Sequence, residues 1–443
     1  MLFRSEFRSG HYLRYAGGRI EIRSYWDLTY REESLPEEVW VEKLNAVLHE
    51  TTKHHLVSDV PVGAFLSGGI DSSTLVAFMS QQSARPVKTY SMGFRDNHFN
   101  ELPYARQVAQ HFGTEHHEET VEVDAFQLLP QIISGFDEPF ADASAIPTYL
   151  VSRFARQEVK VALSGEAGDE LFAGYLWTRK EAWLEGYRRL SLSVRKKIEA
   201  LILGKDYRPL RETGGWSALQ RFFYDAGLTP VESFARRTAC FQPWMKSELF
   251  QPWAKEALEG KESLRLVQSF YRRDAAQSVM DKFLYLDSKL YLPDDLLTKV
   301  DRMSMLHSLE VRVPFLDHKL MELAASIPFS LKLKGGTTKY ILKQAVKGSL
   351  PPGILKQRKQ GFQIPLDRWF RGTFAASAQT LLSEKQGFSR RFFSQNYVEQ
   401  LFQQHQTGRQ RWGHQLYALV VFELWGRLRE EKKERVTDFV REP

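Results

Sequence analysis

Short apolar runs alternate with segments of helical periodicity up to about residue 180. Strands are predicted at 11–15 and 19–23, which flank two glycines as a hairpin, and then at 60–66, 87–94, 117–123 and 159–163. Helices are predicted at 36–57, 72–80 and 102–112. Strands that alternate with helices indicate an α/β fold whose parallel sheet is covered on both faces.

The strand signal fades beyond about residue 175, and helical segments rich in aromatic residues continue to about residue 426. A chain of 443 residues is too long for one ordinary hydrophobic core. We therefore expect an α/β core over residues 36–180 and a helical region over residues 181–443 that is continuous with this core.

Composition narrows the class of protein. The 61 Lys and Arg residues exceed the 54 Asp and Glu residues by 7, a mild excess in mixed runs, so no nucleic-acid partner is expected. The single cysteine, Cys240, excludes an internal disulfide and a multi-cysteine metal site, which favours a cytoplasmic location. The sequence has neither the apolar core of a secretory signal near residue 1 nor about 18 consecutive apolar residues, so no membrane partner is expected.

The first candidate site, which we call loop A (residues 67–73), follows a predicted strand and opens a helix. It contains two glycines, three serines and one carboxylate, namely Ser67, Gly68, Gly69, Asp71, Ser72 and Ser73. Glycines permit close backbone approach, and the free N–H groups of a helix N-terminus attract anions. A plain turn is the structural alternative, but the serines and the carboxylate favour phosphate binding, with Asp71 as a Mg²⁺ ligand.

Loop A lacks the lysine of a Walker A loop, so it is not suited to γ-phosphoryl transfer of the usual kind. It resembles instead the loop of PP-loop ATP pyrophosphatases, which cut ATP between the α and β phosphates. That resemblance implies a Rossmann-like parallel sheet of the PP-loop type.

Loop B (residues 164–170) follows the predicted strand 159–163. Its polar and glycine residues include Ser164, Gly165, Glu166, Asp169 and Glu170. The carboxyl ends of parallel strands line one crevice, so loops A and B are expected to face one ligand. In that setting Asp169 is predicted as a second Mg²⁺ ligand, and Glu166 as the residue that positions or deprotonates an amine. A solvated acidic loop is the alternative.

Two lysines farther along the chain are candidates for charge stabilisation. Lys359 lies in the segment 358–362, and Lys339 precedes it by about twenty residues. Lysines are mostly solvated, but a cation beside the phosphates would stabilise a tetrahedral intermediate or departing AMP. We predict that both lysines are catalytic and that the helical region supplies them.

Six stretches in order along the chain resemble the synthetase domain of glutamine-dependent asparagine synthetases. They are 67–73, 137–142, 164–175, 292–302, 310–317 and 356–365. The resemblance spans roughly residues 20–425 and implies ATP and Mg²⁺ as cofactors. It also implies an adenine pocket lined by Leu66, Met92, Ser164 and Gly165. Loop A would hold pyrophosphate, Glu166 would act at the nucleophile, and Lys359 would stabilise breakdown of an acyl-adenylate.

The expected activity is therefore an AMP-forming ligase that joins a carboxylate to ammonia or an amine. Complete members of this family begin with a glutaminase domain whose nucleophile is a cysteine after the initial methionine, whereas position 2 here is Leu2. Residues 1–35 resemble only the junction at which that domain ends, so no intrinsic glutaminase activity is expected. Three alternatives remain: a sequence truncated after the glutaminase domain, a synthetase half that is fed by a separate amidase or free ammonia, and an enzyme that uses another amine.

Related enzymes widen the choice of substrates. β-Lactam synthetases and lasso-peptide cyclases resemble the same family but form other amides, so the carboxylate is aspartate, another small acid or a peptide. Two departures from the usual pattern, at Ala143 and at Glu166-Ala167, lie near the presumed acyl site. A homodimer stays open, and the rivals are a tRNA-modifying pyrophosphatase and a non-catalytic partner subunit.

Overall fold

The structure is a computed structural model, and it describes residues 9–94, 101–121, 125–203, 218–259, 263–357 and 364–441. These ranges contain an antiparallel hairpin and a five-stranded parallel sheet. The strands are β1 (His11–Ala16), β2 (Arg19–Ser24), β3 (Val62–Phe65), β4 (Lys88–Phe94), β5 (Glu115–Val121), β6 (Val161–Leu163) and β7 (Glu310–Arg312). The strand order of the parallel sheet is β5-β4-β3-β6-β7, which confirms the predicted α/β class.

Helices make up most of the remaining described chain. The first group is α1 (Glu37–His55), α2 (Ile70–Gln82), α3 (Leu102–Phe112), α4 (Ala125–Ser134), α5 (Ala145–Ala155), α6 (Gly168–Leu171), α7 (Leu176–Arg188), α8 (Leu192–Leu203), α9 (Ala218–Gly227), α10 (Pro230–Thr238), α11 (Pro243–Leu249) and α12 (Pro252–Leu258). The second group is α13 (Ser263–Tyr271), α14 (Val279–Leu286), α15 (Thr298–Met305), α16 (His318–Ser326), α17 (Phe329–Lys332), α18 (Tyr340–Val346), α19 (Pro352–Lys356), α20 (Leu366–Trp369), α21 (Ala375–Ser383), α22 (Gln395–Gln406) and α23 (Gly413–Arg441). A π-helix, Asp287–Leu297, joins α14 to α15.

Periodicity explains how α1 attaches to the sheet. Trp40, Leu44 and Leu48 recur at every fourth position and are completely buried. Acidic residues in the first turn and basic residues in the last turn complement the helix dipole. The apolar face packs against α2, α16 and α18, so residues from the helical region cover the α/β core.

The predicted strands and helices are present, with ends that differ by at most two residues, and residues 122 and 123 of the predicted strand 117–123 lie outside the described residues. β7 is a strand that the sequence does not predict, because the apolar pattern gives no indication of a strand at these residues. Its three residues are exposed or half-buried, and so short an edge strand has no measurable period.

Among the described residues, two clusters of buried apolar side chains form the core, and each contains residues from both sides of residue 180. One cluster joins Val76 to Phe315 and Leu342, and the other joins Ile146 to Leu416. Helical segments therefore pack on the sheet without a separate core, and the boundary at residue 180 stays a prediction.

An extended strap, residues 25–36, fixes the amino-terminal part of the chain to the helical region. Leu28 is completely buried, and the Trp26 indole N–H donates a hydrogen bond to Glu322 Oε1 at 2.8 Å. Tyr30 N–H donates to the Ala275 carbonyl at 2.7 Å. Beneath the strap, the Nζ of buried Lys332 lies 5.0 Å from the centre of the Tyr30 ring.

The β1–β2 hairpin projects beyond the strap. Leu13 pairs with Ile22 and Tyr15 with Ile20, so these four apolar side chains share one face of the hairpin. All four are exposed. Within the described ranges, no helix has both the length and the apolar character needed to cross a membrane.

Candidate active site

Loops A and B follow neighbouring strands in the middle of the sheet. Loop A follows β3 and loop B follows β6, and these two strands pair directly. The order of strands reverses between them, because β4 and β5 lie on one side and β7 on the other. Ligands of open α/β sheets bind at such a switch point, outside the carboxyl ends of the strands.

Loop A turns tightly at its two glycines, and the second of them caps α2. Gly68 has a φ of +78°, and a Cβ there would lie 2.6 Å from the backbone of Tyr104. Gly69 is the N-cap of α2, and its N–H donates to Ser67 Oγ at 3.2 Å. Ser67 Oγ lies 3.1 Å from Ser72 Oγ. The first turn of this 13-residue helix provides backbone N–H groups for an anion.

Ser73 contributes a second feature that fits a ligand. Its hydroxyl is buried and has no hydrogen-bond partner in the described part of the chain. Buried hydroxyl groups are nearly always paired in folded proteins, so a ligand oxygen would satisfy this one.

Glycines allow loop B to approach loop A closely. A Cβ at Gly165 would lie 2.7 Å from the backbone nitrogen of Ser72. A Cβ at Gly168 would lie 2.4 Å from Asp71 Oδ1. Both distances are shorter than any real Cβ contact, so side chains at these positions would force the loops apart.

Lys339 joins the two loops electrostatically. Its Nζ donates a hydrogen bond to Asp71 Oδ2 and lies 2.7 Å from Asp169 Oδ1, and all three residues are buried. The backbone of Lys339 has a φ of +52°, which is uncommon for a residue other than glycine. Its N–H donates to the Phe172 carbonyl at 3.2 Å. Such left-handed residues occur often at functional sites.

The donor set at this point fits a magnesium ion. Asp71 and Asp169 supply hard carboxylate oxygens, which Mg²⁺ prefers. Both carboxylates contact the ammonium group of Lys339, which balances their charge in this structure. Asp71 and Asp169 would therefore hold Mg²⁺ together with the phosphates of a nucleotide.

The residues assigned to the adenine pocket lie at the same edge of the sheet. Leu66 follows β3 and is buried, and its N–H donates to the Tyr90 carbonyl at 2.9 Å. Met92 lies on the neighbouring strand β4 and is also buried. Ser164 continues the ladder of β6, because its N–H donates to the Arg312 carbonyl at 2.8 Å.

A second ion pair, between buried Lys299 and half-buried Asp142, lies near Glu166, which is half-buried. Lys299 Nζ lies 3.0 Å from Asp142 Oδ2 and donates to Ser144 Oγ at 2.7 Å. Burial acts to lower the pKa of Lys299, but the charges of Asp142, Glu166 and Asp295 outweigh burial and raise it. Lys299 is therefore a positive charge in an otherwise acidic surrounding.

Asp295 is a carboxyl group poised to titrate near neutral pH. Burial raises its pKa to about 7, and the charge of Asp142 acts in the same direction. Asp295 lies in the π-helix Asp287–Leu297, a kind of segment that is frequent at functional sites. A carboxyl with such a pKa can accept or release a proton at physiological pH.

Sequence patterns do not single out these three charged residues. Asp142, Asp295 and Lys299 lie in two of the stretches that carry the family resemblance, but neither their type nor their spacing indicates a role. The only available signal was an aspartate and a lysine in two separate motifs. Their pairing spans 157 positions, and no local pattern reports it.

Two further carboxyl groups are buried within reach of the charge of Asp169, one at the end of loop B and one in the π-helix. Burial and the charge of Asp169 raise the pKa of Glu170 to about 8, and the Tyr175 hydroxyl donates a hydrogen bond to Glu170. Burial raises the pKa of Asp287 to about 6, although Arg237 lies 2.5 Å from its Oδ1 and acts to lower it.

The predicted catalytic residue Lys359 lies outside the described residues.

Comparison with known proteins gives one family. The chain matches the Asparagine synthase family over residues 43–427. It is 30% identical over 420 residues to an "Asparagine synthetase [glutamine-hydrolyzing] 1" of Bacillus subtilis, covering 94% of this chain and 64% of the relative. A "Putative asparagine synthetase [glutamine-hydrolyzing]" of Mycobacterium tuberculosis is 32% identical over 387 residues, which are 87% of this chain and 57% of the relative.

A fungal protein with a different description is also similar. "Amidase chyE" of Penicillium rubens is 27% identical over 431 residues, covering 88% of this chain and 63% of the relative. The chain thus spans about three fifths of the length of the curated relatives that it matches.

Proposed function

The chain belongs to the asparagine synthase family, and we propose that it is an ATP-dependent ligase that activates a carboxylate as an acyl-adenylate and then forms an amide. Pyrophosphate leaves in the first step and AMP in the second. The observation that carries this proposal is the contact of Lys339 with Asp71 and Asp169 at the switch point of the sheet.

Loop A would bind the β and γ phosphates through the first turn of α2 and the hydroxyls of Ser67, Ser72 and Ser73. Mg²⁺ held by Asp71 and Asp169 would neutralise charge on the triphosphate. Lys339 would then donate to phosphate oxygens in place of the two carboxylates. Leu66 and Met92 would enclose the adenine ring.

This arrangement favours attack of the substrate carboxylate on the α phosphorus. Loop A would hold the β and γ phosphates as the leaving pyrophosphate, so the bond between the α and β phosphates would be the one that breaks. Binding both reactants in one crevice replaces a bimolecular encounter with a reaction between aligned groups. Effective molarities of roughly 10⁵ M or more are known for such aligned groups. Lys359 stays a prediction as the cation for the second step.

Glu166 is the residue we propose for the incoming amine. Its charge acts on Lys299 and Asp295. The part of the crevice around Glu166, where the acyl group would lie, therefore has three carboxyl groups, with Asp142 as the third, and one ammonium group. A carboxylate there can orient ammonia or an amine and accept its proton as the amide bond forms. Ammonia could come from a separate glutaminase, and aspartate is one candidate for the carboxylate.

A second candidate keeps the activation step and changes the substrates. The similarity to Amidase chyE supports it, because that relative has a name other than asparagine synthetase. In this case the chain forms an amide or lactam on a specialised small molecule or a peptide, as β-lactam synthetases and lasso-peptide cyclases do. A non-catalytic partner subunit is the alternative from another class.

The test is ATP–pyrophosphate exchange with aspartate, other amino acids and peptide carboxylates, followed by product analysis with and without ammonia. We expect exchange with the true carboxylate, and AMP and pyrophosphate as products. Lys339→Met should reduce exchange by about 10² or more, on the scale of losing one charge-stabilising donor. Lys347→Met, an exposed lysine just after α18, is the matched control and should keep full exchange. Stoichiometric ADP and phosphate would refute the assignment, and absence of exchange with every carboxylate would favour the non-catalytic alternative.

A further inference from the structure

A cluster of ionisable side chains lies at the edge of the sheet opposite the candidate active site. Lys88 and Glu115 begin the neighbouring strands β4 and β5 and face each other in register, as do Tyr90 and His117. Glu158 comes from the connection between α5 and β6. Because loops A and B follow the other ends of β3 and β6, this cluster is separate from the nucleotide crevice.

Three of these side chains bring potential metal ligands together. His117 Nε2 lies 3.2 Å from Glu115 Oε1 and 3.4 Å from Glu158 Oε2. One ligand atom from each residue lies within 4.8 Å of the other two. Ligands of a tetrahedral ion with bonds of about 2.0 Å are separated by about 3.3 Å, so these contacts have the required spacing.

The imidazole is held in place by its neighbours. The ring of buried Tyr90 stacks on His117, with centroids 5.3 Å apart and planes at 17°. The Tyr90 hydroxyl donates to Glu158 Oε2 at 3.3 Å. Supporting contacts of this kind orient metal ligands and distinguish this set from a loose group of surface carboxylates.

The two carboxylates already gather around a positive charge. Lys88 Nζ lies 2.5 Å from Glu158 Oε2 and 3.1 Å from Glu115 Oε1. Lys88 thus balances the charge of both carboxylates in this structure, at the place where a bound cation would do so. The Lys88 side chain is 31% exposed and has a flexible stem, so it can turn toward solvent.

We propose that Glu115, His117 and Glu158 form a binding site for a divalent transition-metal ion such as Zn²⁺, with Lys88 as the competing internal cation. One imidazole and two carboxylates suit Zn²⁺ or Co²⁺ better than Mg²⁺, which prefers oxygen ligands alone. The bound ion would connect edge strand β5 to the segment that leads into β6. It would therefore stabilise the outer part of the sheet without touching the nucleotide.

The test is titration of the full chain with Co²⁺, followed by visible absorption, in excess Mg²⁺ so that oxygen-only sites are filled. We expect one Co²⁺ per chain in a low-coordinate environment. His117→Gln and Glu158→Gln should each weaken binding by about tenfold or more. Lys88→Met should strengthen it, because the competing ammonium is removed. His54→Gln, an exposed histidine on α1, is the matched control.

The outcomes are separable. Unchanged Co²⁺ affinity in His117→Gln and Glu158→Gln, with thermal unfolding showing that both variants fold, would refute the site. Unchanged or weaker binding in Lys88→Met would refute the role of Lys88. ATP–pyrophosphate exchange without Co²⁺ should be equal in His117→Gln and wild type, and a loss of exchange would contradict the separation of the two sites.

Discussion

At the residue scale, glycine residues determine how closely loops A and B and Lys339 approach one another. A Cβ at Gly174 would lie 2.1 Å from Lys339 Cε and 2.0 Å from Asp169 Oδ1, and Gly165 and Gly168 are similarly restricted. The geometry that unites Asp71, Asp169 and Lys339 therefore depends on missing side chains as much as on charged ones.

We expect Gly168→Ala to displace Asp71, because the added methyl would lie 2.4 Å from its Oδ1. ATP–pyrophosphate exchange should fall by about tenfold or more, since a displacement of the order of 1 Å can cost 10²-fold in rate. Gly186→Ala is the control, because a Cβ at this position in α7 meets no atom of the described residues within 4 Å. Equal exchange in the two variants would show that the contact of the loops is unimportant.

Lys332 allows a pH-dependent prediction. It is completely buried, its Nζ has no hydrogen-bond partner in the part of the chain that the structure describes, and burial lowers its pKa to about 8 despite the charges of Asp281 and Glu32. The unfolded chain holds the proton up to about pH 10.4. Between these two values the unfolded state binds more protons, so this group makes the protein more stable as the pH rises.

Lys332→Met should therefore increase the free energy of unfolding at pH 7, where the wild type buries a charge. One pKa unit corresponds to about 1.4 kcal/mol, so a gain above about 1 kcal/mol is expected. The gain should shrink as the pH rises from 8 to 10. Urea unfolding at pH 7, 8.5 and 10 measures it, and exposed Lys347→Met is the control. A difference that does not change with pH would contradict the prediction.

The π-helix Asp287–Leu297 is the element that connects the strap to the acyl side of the crevice. Near its start, Lys289 Nζ lies 3.0 Å from Asp27 Oδ1 of the strap. Near its end, Asp295 acts on Lys299. This short segment thus holds Lys289 beside the strap and Asp295 beside Lys299. The pair Asp287–Arg237 attaches the segment to α10.

Arg237→Met should destabilise the chain strongly, because it leaves the Asp287 carboxylate buried without its partner. A loss of about 3 kcal/mol in the free energy of unfolding is expected. Adding Asp287→Asn to that variant should recover part of the loss, since the uncompensated charge is removed. Arg189→Met removes an exposed arginine that pairs with half-buried Glu185; it is the control and should cost less than about 0.5 kcal/mol. Additive losses in the double variant would exclude a coupled pair.

Elements of the sheet differ in how well the sequence predicts them. β3 and β4 are found from their apolar runs, and loops A and B are found because each motif is contiguous. β7 and the π-helix are not found. Three edge residues are too few to show a hydrophobic period, and the hydrophobic period of a π-helix is not distinguishable in the sequence from that of an α-helix. The pair Asp142–Lys299 escapes detection for a related reason, because only the fold brings its two motifs together.

On the scale of the whole molecule, the chain consists of a core that both halves build and a hairpin that projects from it. The strap that carries the hairpin is buried along Leu28 and Tyr30, whereas the apolar face of the hairpin is exposed. The strap should therefore contribute to global stability, and the hairpin should not.

Leu28→Ala should cost about 2–4 kcal/mol in the free energy of unfolding, because it creates a cavity under the strap. Leu13→Ala, at a position that is 48% exposed on the hairpin, should cost less than about 0.5 kcal/mol. The midpoint of urea unfolding compares the two variants. A similar loss in both would mean that the hairpin is also part of the folded core.

The pairing of β6 with β7 has a consequence for synthesis on the ribosome. Loop B begins at Ser164, yet its first N–H is bound by Arg312, and the lysine that joins the loops is residue 339. A nascent chain that has emerged only to about residue 300 carries both loops but neither of these partners. Such a chain must wait for distant residues before the sheet is complete, and contacts so far apart in sequence form late. We expect stalled chains of that length to be protease-sensitive and unable to retain ATP, and chains that extend past residue 427 to gain protease resistance and ATP retention together.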